Sequence, residues 1–588
     1  GEDGTLKKAI NFESLRQVLS EDMLEGDEAF EFTWVGKKAS MVEAGRPIRK
    51  TLRPSKEESK NWETTENLYI EGDNLDVLKL LQESYLGKVK MIYIDPPYNT
   101  GNDFIYNDHF EMDKDEYDEQ TGLFDEEKNK NFKENNLSNP RFHSDWCTMM
   151  YPRLHLSRNL LTNDGAVFLS IDETESANLK KLCDEVFGEG NRVAEFMIIR
   201  AEGGGLAKQV IKGHDYLFVY AKNLTNFTPL GKQKDVRGKI IVREGQSFWV
   251  QEDWLRKEFG KYGNCHYEEI LEFKGQKKLD EINLGLENGL YILIPKSNGM
   301  HIVGKVRNLD EDSSKFYSVL KHLSAKGVDD LKKLGLESVF SYPKPLSLIE
   351  EIISGHTFFT ARRGEIILDF FSGSATTAHA VMQLNAEDGG NRKFIMVQLP
   401  EETSPDSEAY KAGYKNICEI GKERIRRAGE KIKAEIESNT AQLKLGEEPK
   451  QVPDIGFRVL KLDESNMKDV YYTPGAYSQT ILERLESNIK EDRTDLDLLF
   501  SCLLEWGLPL SMPYTSEQID GFAVHTYNEG DLIACFDEKI SEKAIKEIAR
   551  RQPLRVVFRD SSFASSPEKI NVEEIFKLLA PNTSVRVL

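Results

Sequence analysis

Residues 91–99 read MIYIDPPYN. The apolar, β-branched run that stops at Asp95 predicts a buried parallel strand, and the two prolines that follow predict a rigid turn. Asp95 therefore stands at the carboxyl end of a strand, which is the edge where ligands bind in open α/β sheets. Because Pro96 and Pro97 have no N–H group to donate, their turn leaves carbonyl oxygens free to accept hydrogen bonds.

The groups of this turn suit a planar ring that carries an amine. Asp95 and the Pro96 carbonyl can each accept one amine hydrogen, and Tyr98 offers an aromatic face for stacking. Adenine has this combination of ring and amine. A strand that ends in an acid and two prolines is also compatible with a purely structural turn, and the tetrapeptide alone leaves both interpretations open.

Length and composition set outer limits on the class of protein. A chain of 588 residues is too long for one core and predicts three or four domains. No signal peptide and no apolar run long enough to cross a bilayer are present, so we expect a cytoplasmic protein without a membrane partner. The six cysteines are scattered and predict free buried thiols rather than a metal site. The net charge of −21 counts against a nucleic-acid partner only as an average, because a local basic groove suffices for binding.

The first part of the chain predicts an arm followed by the start of the core. Residues 1–65 predict a helix near 11–19 and a basic stretch at 46–56, which is either a solvated linker or a contact with phosphates. A short strand at 68–70 leads to Asp73 and a helix at 75–81. Asp73 either caps this helix or accepts a hydrogen bond from the adenine amine of a cofactor. The acidic stretch 103–139 predicts a mobile loop, with a lid over the site as the alternative.

Strands and helices then alternate, as is typical of a doubly wound sheet. We predict a helix at 145–161, strands at 166–171, 192–199 and 216–220, and flexible backbone at the three glycines 203–205. Residues 224–338 differ, because short strands at 239–242, 291–294 and 301–306 alternate with helices while lysines and aromatic residues interleave. This composition favours an inserted domain that reads DNA grooves, although an ordinary surface of mixed charge looks the same.

The α/β pattern resumes with a predicted cofactor loop. A strand at 365–369 runs into FFSGSATT at 370–377 and then into a helix. Small residues let a ligand lie on the backbone there, and the helix amino terminus favours carboxylate or hydroxyl oxygens. The strand at 393–397 ends at Gln398, where nucleotide-binding folds usually place an acid on a ribose. One long helix is predicted at 408–437, and the tail 455–588 predicts a small α/β module that contacts a second copy or a partner, or that caps the core.

These motifs together resemble a known family. Asp95-Pro96-Pro97-Tyr98 resembles the catalytic motif of amino-methyltransferases, which use S-adenosylmethionine to methylate exocyclic amines in nucleic acids. Residues 369–374 are similar to their cofactor motif, and residues 342–345 resemble the segment that precedes it. The catalytic motif comes first, which matches the permuted group called β. With residues 67–108, 369–400 and the tail from 456, nearly the whole chain resembles the modification (Mod) subunits of type III restriction-modification systems, least at 224–338 and after 475.

The resemblance implies a fold and a set of site residues. The implied fold is a doubly wound, mostly parallel Rossmann-like methyltransferase sheet in circularly permuted order, with an inserted target-recognition domain and a small carboxyl-terminal α/β domain. The expected boundaries are 1–65, 66–223, 224–338, 339–454 and 455–588. The implied catalytic residues are Asp95, Pro96, Pro97 and Tyr98. The implied cofactor-binding residues are Asp73, Lys344, Pro345, Asp369, Phe371, Ser372, Gly373, Ser374 and Gln398.

The implied activity is methyl transfer from S-adenosyl-L-methionine to adenine N6 in duplex DNA, with the base flipped out and without a metal ion. The implied partners are double-stranded DNA, a second copy of the chain and a restriction (Res) helicase-nuclease subunit, unless the enzyme is solitary. Two alternatives stay open: methylation of cytosine N4, for which the family more often has serine in place of Asp95, and a DNA-binding specificity subunit that has lost turnover. Ala375 replaces the second glycine of the usual Gly-Ser-Gly, which we expect alanine to tolerate only at negative φ.

Overall fold

The computed structural model describes residues 31–101, 104–106, 132–202, 210–234, 236, 239–243, 246–258, 263–309, 312–441, 449–468, 489–563 and 565–588. The first part of the chain forms strands β1 (Lys50–Lys60), β2 (Leu68–Glu71), β3 (Val89–Ile94), β4 (Phe104–Tyr106), β5 (Phe132–Glu134), β6 (Leu161–Ile171), β7 (Arg192–Ile199) and β8 (His214–Ala221). Its helices are α1 (Lys37–Ala44), α2 (Asn74–Tyr85), α3 (Phe142–Leu160) and α4 (Ser176–Cys183).

The middle of the chain continues with strands β9 (Lys232–Gln233), β10 (Ile240–Arg243), β11 (Gln246–Gln251), β12 (Tyr291–Pro295), β13 (His301–Asn308), β14 (Ser313–Ser314), β15 (Val319–Lys321), β16 (Ile366–Asp369) and β17 (Lys393–Gln398). The helices of this part are α5 (Ile270–Lys274), α6 (Gln276–Glu287), α7 (Ala325–Lys332), α8 (Leu346–His356), α9 (Thr376–Asp388), α10 (Glu408–Lys411) and α11 (Ile417–Thr440).

The last part contains strands β18 (Phe457–Glu464), β19 (Tyr514–Ile519), β20 (Phe522–Tyr527), β21 (Leu532–Cys535), β22 (Arg555–Phe558) and β23 (Ser584–Val587). Its helices are α12 (Asp495–Glu505), α13 (Glu542–Arg550) and α14 (Ser566–Leu579).

One large sheet organises the molecule. In the described part of the chain its strands follow the order β1-β18-β2-β17-β16-β3-β6-β8-β7-β15. All neighbours from β18 to β6 are parallel, whereas β8 runs antiparallel to both β6 and β7. The predicted doubly wound, mostly parallel sheet is therefore confirmed.

Strand β3 lies near the middle of this sheet and shows why the opening sequence forms a strand. All its residues are buried. Ile92 and Ile94 face the layer formed by α2, α3, α4 and α12, whereas Met91 and Tyr93 face the layer formed by α8, α9 and α11. A parallel strand covered on both faces needs an uninterrupted apolar run, which is what the sequence supplies.

Two smaller sheets lie outside the large one. The order β10-β11-β13-β12 forms an antiparallel sheet within the predicted insertion. Strands β19 to β23 form a sheet in chain order, with α13 and α14 packed on one face. Residues on its other face, among them Ala534 and Val557, join the core cluster of the large sheet. The tail thus caps the core from one side.

The large sheet also contains three strands from outside the expected core ranges, β1, β15 and β18. Strand β1 was missed because its sequence, KTLRPSKEESK, buries only Thr51 and Leu52 fully. It is held by antiparallel pairing with β18 and by Arg53, whose guanidinium lies 3.0 Å from both Asp463 and Asp497. The predicted helix at 408–437 is also divided, into α10 and α11.

Several expectations concern residues that the structure does not describe. The predicted helix at 11–19, the three glycines 203–205 and most of the acidic stretch 103–139 lie outside the described residues. Among the helices that are described, none has the length and apolar character that a membrane crossing requires.

Candidate active site

The two predicted loops leave the same edge of the large sheet. Strands β3 and β16 are parallel neighbours in which Ile92 pairs with Leu368, so Asp95 and Asp369 follow at the same edge. The side chain of Asn74, the first residue of α2, links the loop after β16 to helix α3. Asn74 Nδ2 donates to the Phe370 carbonyl oxygen at 2.7 Å, and its Oδ1 accepts from Arg153 Nε at 2.5 Å.

This link gives a first stability prediction. Asn74 is fully buried, and Asn74→Ala leaves the Arg153 guanidinium and the Phe370 carbonyl without it, so we expect a loss of about 2–4 kcal/mol in the free energy of unfolding. Urea unfolding measures the loss. The control is Asn223→Ala at an exposed turn, which we expect to cost less than about 1 kcal/mol. Equal losses in the two variants would contradict the link.

Buried partners hold the catalytic turn in shape. The Pro97 carbonyl accepts from Trp146 Nε1 at 2.8 Å. Asn99 is buried at φ 60° and donates to Glu175 Oε1 at 2.6 Å. No donor among the described residues reaches the Pro96 carbonyl oxygen. The Pro96 carbonyl oxygen is thus available to accept from an amine, whereas the Pro97 carbonyl oxygen already accepts from Trp146.

Lys344 lies at the catalytic turn, although it was predicted among the cofactor-binding residues. Its Nζ is 3.1 Å from Asp95 Oδ1 and donates to the Tyr98 hydroxyl at 2.5 Å. The side chains of Asp95 and Lys344 are 26% and 19% exposed, so the pair is partly desolvated. Burial raises the pKa of Tyr98, which keeps its phenol neutral. Pro345 follows as the N-cap of α8.

Asp215 was missed by the sequence reasoning. It is buried at the start of β8, with Oδ1 3.4 Å from Arg200 Nε, and burial raises the pKa of its carboxyl. Because β8 is antiparallel, its start lies at the edge where the parallel strands end. The acid that precedes the apolar run 216–221 was the available signal, but its use requires knowing the direction of the strand.

The cofactor loop is held by its own backbone and by Gln398. Gly373 has φ 49°, and its N–H donates to Gln398 Oε1 at 2.7 Å. The Ser374 hydroxyl accepts from Arg424 Nη1 at 2.9 Å. The buried Ser372 hydroxyl has no hydrogen-bond partner within the described part of the chain, and Phe371 is buried beside it. The Gln398 amide oxygen, predicted for a ribose, is therefore used by the loop itself.

The expectation for Ala375 was wrong. Its φ is 60° and its ψ 42°, in the left-handed region, and it is the N-cap of α9. The residue is fully buried, so packing around its methyl group holds a conformation that alanine adopts rarely. The turn therefore keeps the shape that a glycine would give it.

Asp369 holds the cofactor loop by two hydrogen bonds. Its carboxylate accepts from the Thr377 hydroxyl at 2.6 Å and from the Phe371 N–H at 3.1 Å. Burial raises its pKa from 3.8 to about 7, which the two hydrogen bonds oppose. Asp369 is thus a structural acid beneath the loop.

The raised pKa gives a pH prediction. A carboxyl whose pKa is higher in the folded chain stabilises the fold below pH 3.8, and this stabilisation is lost as the pH rises through 7. Asp369→Asn keeps an acceptor for the Phe371 N–H, offers an N–H donor to the Thr377 hydroxyl in place of the second acceptor, and carries no charge. We therefore expect it to gain about 2–4 kcal/mol over the parent between pH 5 and pH 8, measured by urea unfolding at both pH values. A constant difference across this range would contradict the argument.

Asp73 lies at the neighbouring strand end. Its Oδ1 accepts from the N–H groups of Leu75 and Asp76 at 2.9 and 3.3 Å, so it caps α2. Its second oxygen is 3.5 Å from Arg153 Nη2. A cavity of about 640 Å³ opens beside Asp73, Leu399 and Pro400. The carboxylate thus serves the helix and also lines a cavity large enough for a small ligand.

Two tryptophans lie in the predicted insertion. Trp249 is buried in β11 and donates to Asp312 at 2.8 Å. Trp254 donates to the Val303 carbonyl at 2.7 Å. Both indoles therefore stabilise the insertion. No group of three metal-ligating side chains occurs in the ranges that the structure covers.

Comparison with known proteins identifies a family. The DNA methylase family model N6_N4_Mtase matches residues 89–428. The EcoPI Mod subunit of a type III restriction-modification enzyme from Escherichia phage P1 is 28% identical, over 98% of this chain and 93% of its own. The StyLTI Mod subunit from Salmonella typhimurium is 33% identical, over 73% of this chain and 67% of its own.

Among solved structures, the M1.HpyAVI–SAM complex matches with a TM-score of 0.29 and 12% identity, covering 61% of this chain and 98% of that one. The fold assignment rests on the strand order rather than on this likeness. Since the family model spans more than half of the chain and the Mod subunits align along most of it, the chain belongs to the DNA methylase family and is a DNA methyltransferase of the type III Mod kind.

Proposed function

We propose that this DNA methyltransferase transfers a methyl group from S-adenosyl-L-methionine to N6 of adenine in duplex DNA. One observation carries the proposal: Asp95, the Pro96 carbonyl oxygen and the Tyr98 ring stand at the same sheet edge as the loop around Gly373. The first set offers two acceptors and a stacking face, and the second offers a backbone cradle.

The two acceptors make the amine of the substrate more nucleophilic. The N6 lone pair of adenine is delocalised into the ring, so the amine is a poor nucleophile. Hydrogen bonds from the amine to Asp95 and to the Pro96 carbonyl localise this lone pair on nitrogen. The protein contributes positioning and fixed dipoles, which are the largest sources of rate enhancement in such a site.

The loop fits the proposed cofactor. Gly373 has no side chain over the turn, the buried Ser372 hydroxyl lacks a partner among the described residues, and α9 begins at Thr376. We assign Ser372, Gly373 and Ser374 to the amino-acid end of the cofactor, and Asp73 with the adjoining cavity to its nucleoside. Asp369 and Gln398 hold this loop in place, and Phe371 is part of it, whereas Lys344 and Pro345 lie beside the catalytic turn. When bound, S-adenosyl-L-methionine supplies an electrophilic methyl group on a sulfonium.

The burial of the catalytic turn argues for base flipping. The Asp95 side chain, at the carboxyl end of β3, is only 26% exposed. A base stacked inside a duplex cannot bring its amine to such a carboxylate, so the base must leave the helix. Tyr98 then provides the stacking surface that the base loses.

Two finer assignments belong to the same proposal. Cytosine N4 presents the same kind of amine, but Asp95 favours adenine because the cytosine enzymes that the motif resembles more often have serine there. We also propose that the chain works as a homodimer and with a Res helicase-nuclease subunit.

A methylation assay tests the proposal. Purified protein is incubated with isotope-labelled S-adenosyl-L-methionine and a mixed-sequence duplex, and the product nucleosides are separated. We expect the label in N6-methyladenine. Label in N4-methylcytosine would establish the alternative target, and tight DNA binding without incorporation would establish a specificity subunit.

A further inference from the structure

The Lys344 ammonium lies among carboxylates at the catalytic edge. It is 3.1 Å from Asp95 Oδ1, an oxygen buried without any hydrogen bond among the described residues. Burial, and to a smaller extent the charge of Asp95, raises the pKa of Asp215 and of Asp369, so both carboxyls lie in the same region. Two acidic neighbours repel the Asp95 carboxylate, and a cation beside it offsets this repulsion.

The position of the ammonium leaves the aromatic face open. Lys344 Nζ is 2.5 Å from the Tyr98 hydroxyl oxygen but 4.7 Å from the ring centroid. A group so near the hydroxyl and so far from the centroid lies beyond the edge of the phenol, not over its face. A base can therefore stack on Tyr98 while Lys344 remains in place.

The backbone that carries Lys344 is rigidly held. A Cβ atom at Gly327 of α7 would lie 2.0 Å from the Pro343 carbonyl oxygen, so helix and segment touch through backbone. On the carboxyl side of Lys344, the Leu346 N–H donates to Asp330 Oδ2 of the same helix at 3.0 Å. The ammonium is thus presented by a fixed segment 246 residues away from Tyr98 in sequence.

We propose that Lys344 is a positioning residue for methyl transfer, which holds the Asp95 carboxylate in place as the amine acceptor and fixes the Tyr98 hydroxyl beside it. This inference rests on the proposed function of Asp95 and Tyr98. It differs from the expected role of Lys344 in cofactor binding, because the contacts of the ammonium are with the catalytic turn.

Charged and titratable groups face Asp95 from several elements of the fold. Lys344 faces it from the segment before α8, Asp215 from β8, Asp369 from β16, and Tyr93 and Tyr98 from its own strand and turn. Arg200 lies against Asp215, at 3.4 Å, and Asp172 adds negative charge on the same side. Lys344 is therefore the cation that faces the Asp95 carboxylate directly.

Single-turnover methylation of duplex DNA at saturating cofactor tests the inference, with cofactor binding measured separately by calorimetry. For Lys344→Met we expect the methylation rate to fall by about 10-fold or more while cofactor affinity stays unchanged within about 3-fold. Lys344→Arg keeps a cation at this position and should keep a rate closer to that of the parent.

Other outcomes overturn the inference. If Lys344→Met loses cofactor affinity by as much as it loses rate, Lys344 is a cofactor-binding residue. If its rate does not change, its contacts have no role in methyl transfer. The proposed function fails in a different way, through absence of N6-methyladenine in the product of the parent protein, so the two failures are distinguishable.

Discussion

Asp95→Ala is expected to lower the rate of methyl transfer by about 10²–10³-fold while the fold and cofactor binding persist. The variant removes the charged acceptor of the amine and leaves the Lys344 ammonium without its carboxylate. Single-turnover rates with labelled cofactor at saturating DNA measure the loss. Thermal unfolding and calorimetric cofactor binding establish that the variant is folded and loaded.

Asp406→Ala provides a matched control, because it removes the same carboxylate from an exposed loop. We expect it to keep the rate of the parent. If Asp95→Ala retained more than about a third of the parent rate, the assignment of Asp95 as the amine acceptor would fail, since a charge-assisted hydrogen bond in a partly buried site contributes far more than that.

Gly373→Val is expected to weaken cofactor binding by about 100-fold, equivalent to about 2.7 kcal/mol. A β-branched residue is strained at φ 49°, and its Cβ would lie 3.4 Å from the Phe340 ring, inside the turn proposed to cradle the cofactor. Calorimetry with S-adenosyl-L-methionine measures the affinity, and urea unfolding measures the cost to stability.

The matched control for strain lies at the other end of the same helix. Gly389 caps α9 at φ 66°, and a Cβ there would meet no atom within 4 Å. We expect both valine variants to lose about 1–3 kcal/mol of stability, but only Gly373→Val to lose affinity. Equal affinities for the two variants would place the cofactor elsewhere.

The sequence predicted what is local. Strand β3, the turn after it and the loop from Asp369 to Ser374 each depend on an apolar run followed by small residues or proline, which can be read from a few adjacent positions. The sheet class followed from the alternation of such units. Asp73 and Gln398 were placed at strand ends correctly, and their hydrogen bonds to α2 and to the Gly373 N–H are visible only in the structure.

What the sequence did not predict depends on distant pairing. Strand β1 lacks apolar alternation because β18 supplies its hydrogen bonds and charges from about 400 positions away. The contact of Lys344 with Asp95 requires two halves of the chain to meet at one edge. Asp215 enters the site only because β8 is antiparallel, and Ala375 keeps its positive φ because packing on all sides confines it.

The place of β18 in the large sheet bears on how the enzyme is made. During synthesis the ribosome has produced every catalytic group well before it reaches Phe457–Glu464, yet β1 and β2 flank a gap until that strand arrives. A nascent chain therefore holds two unpaired strand edges through most of its translation. Maturation of the catalytic domain is completed late, when the last strand of the large sheet is inserted between its first two strands.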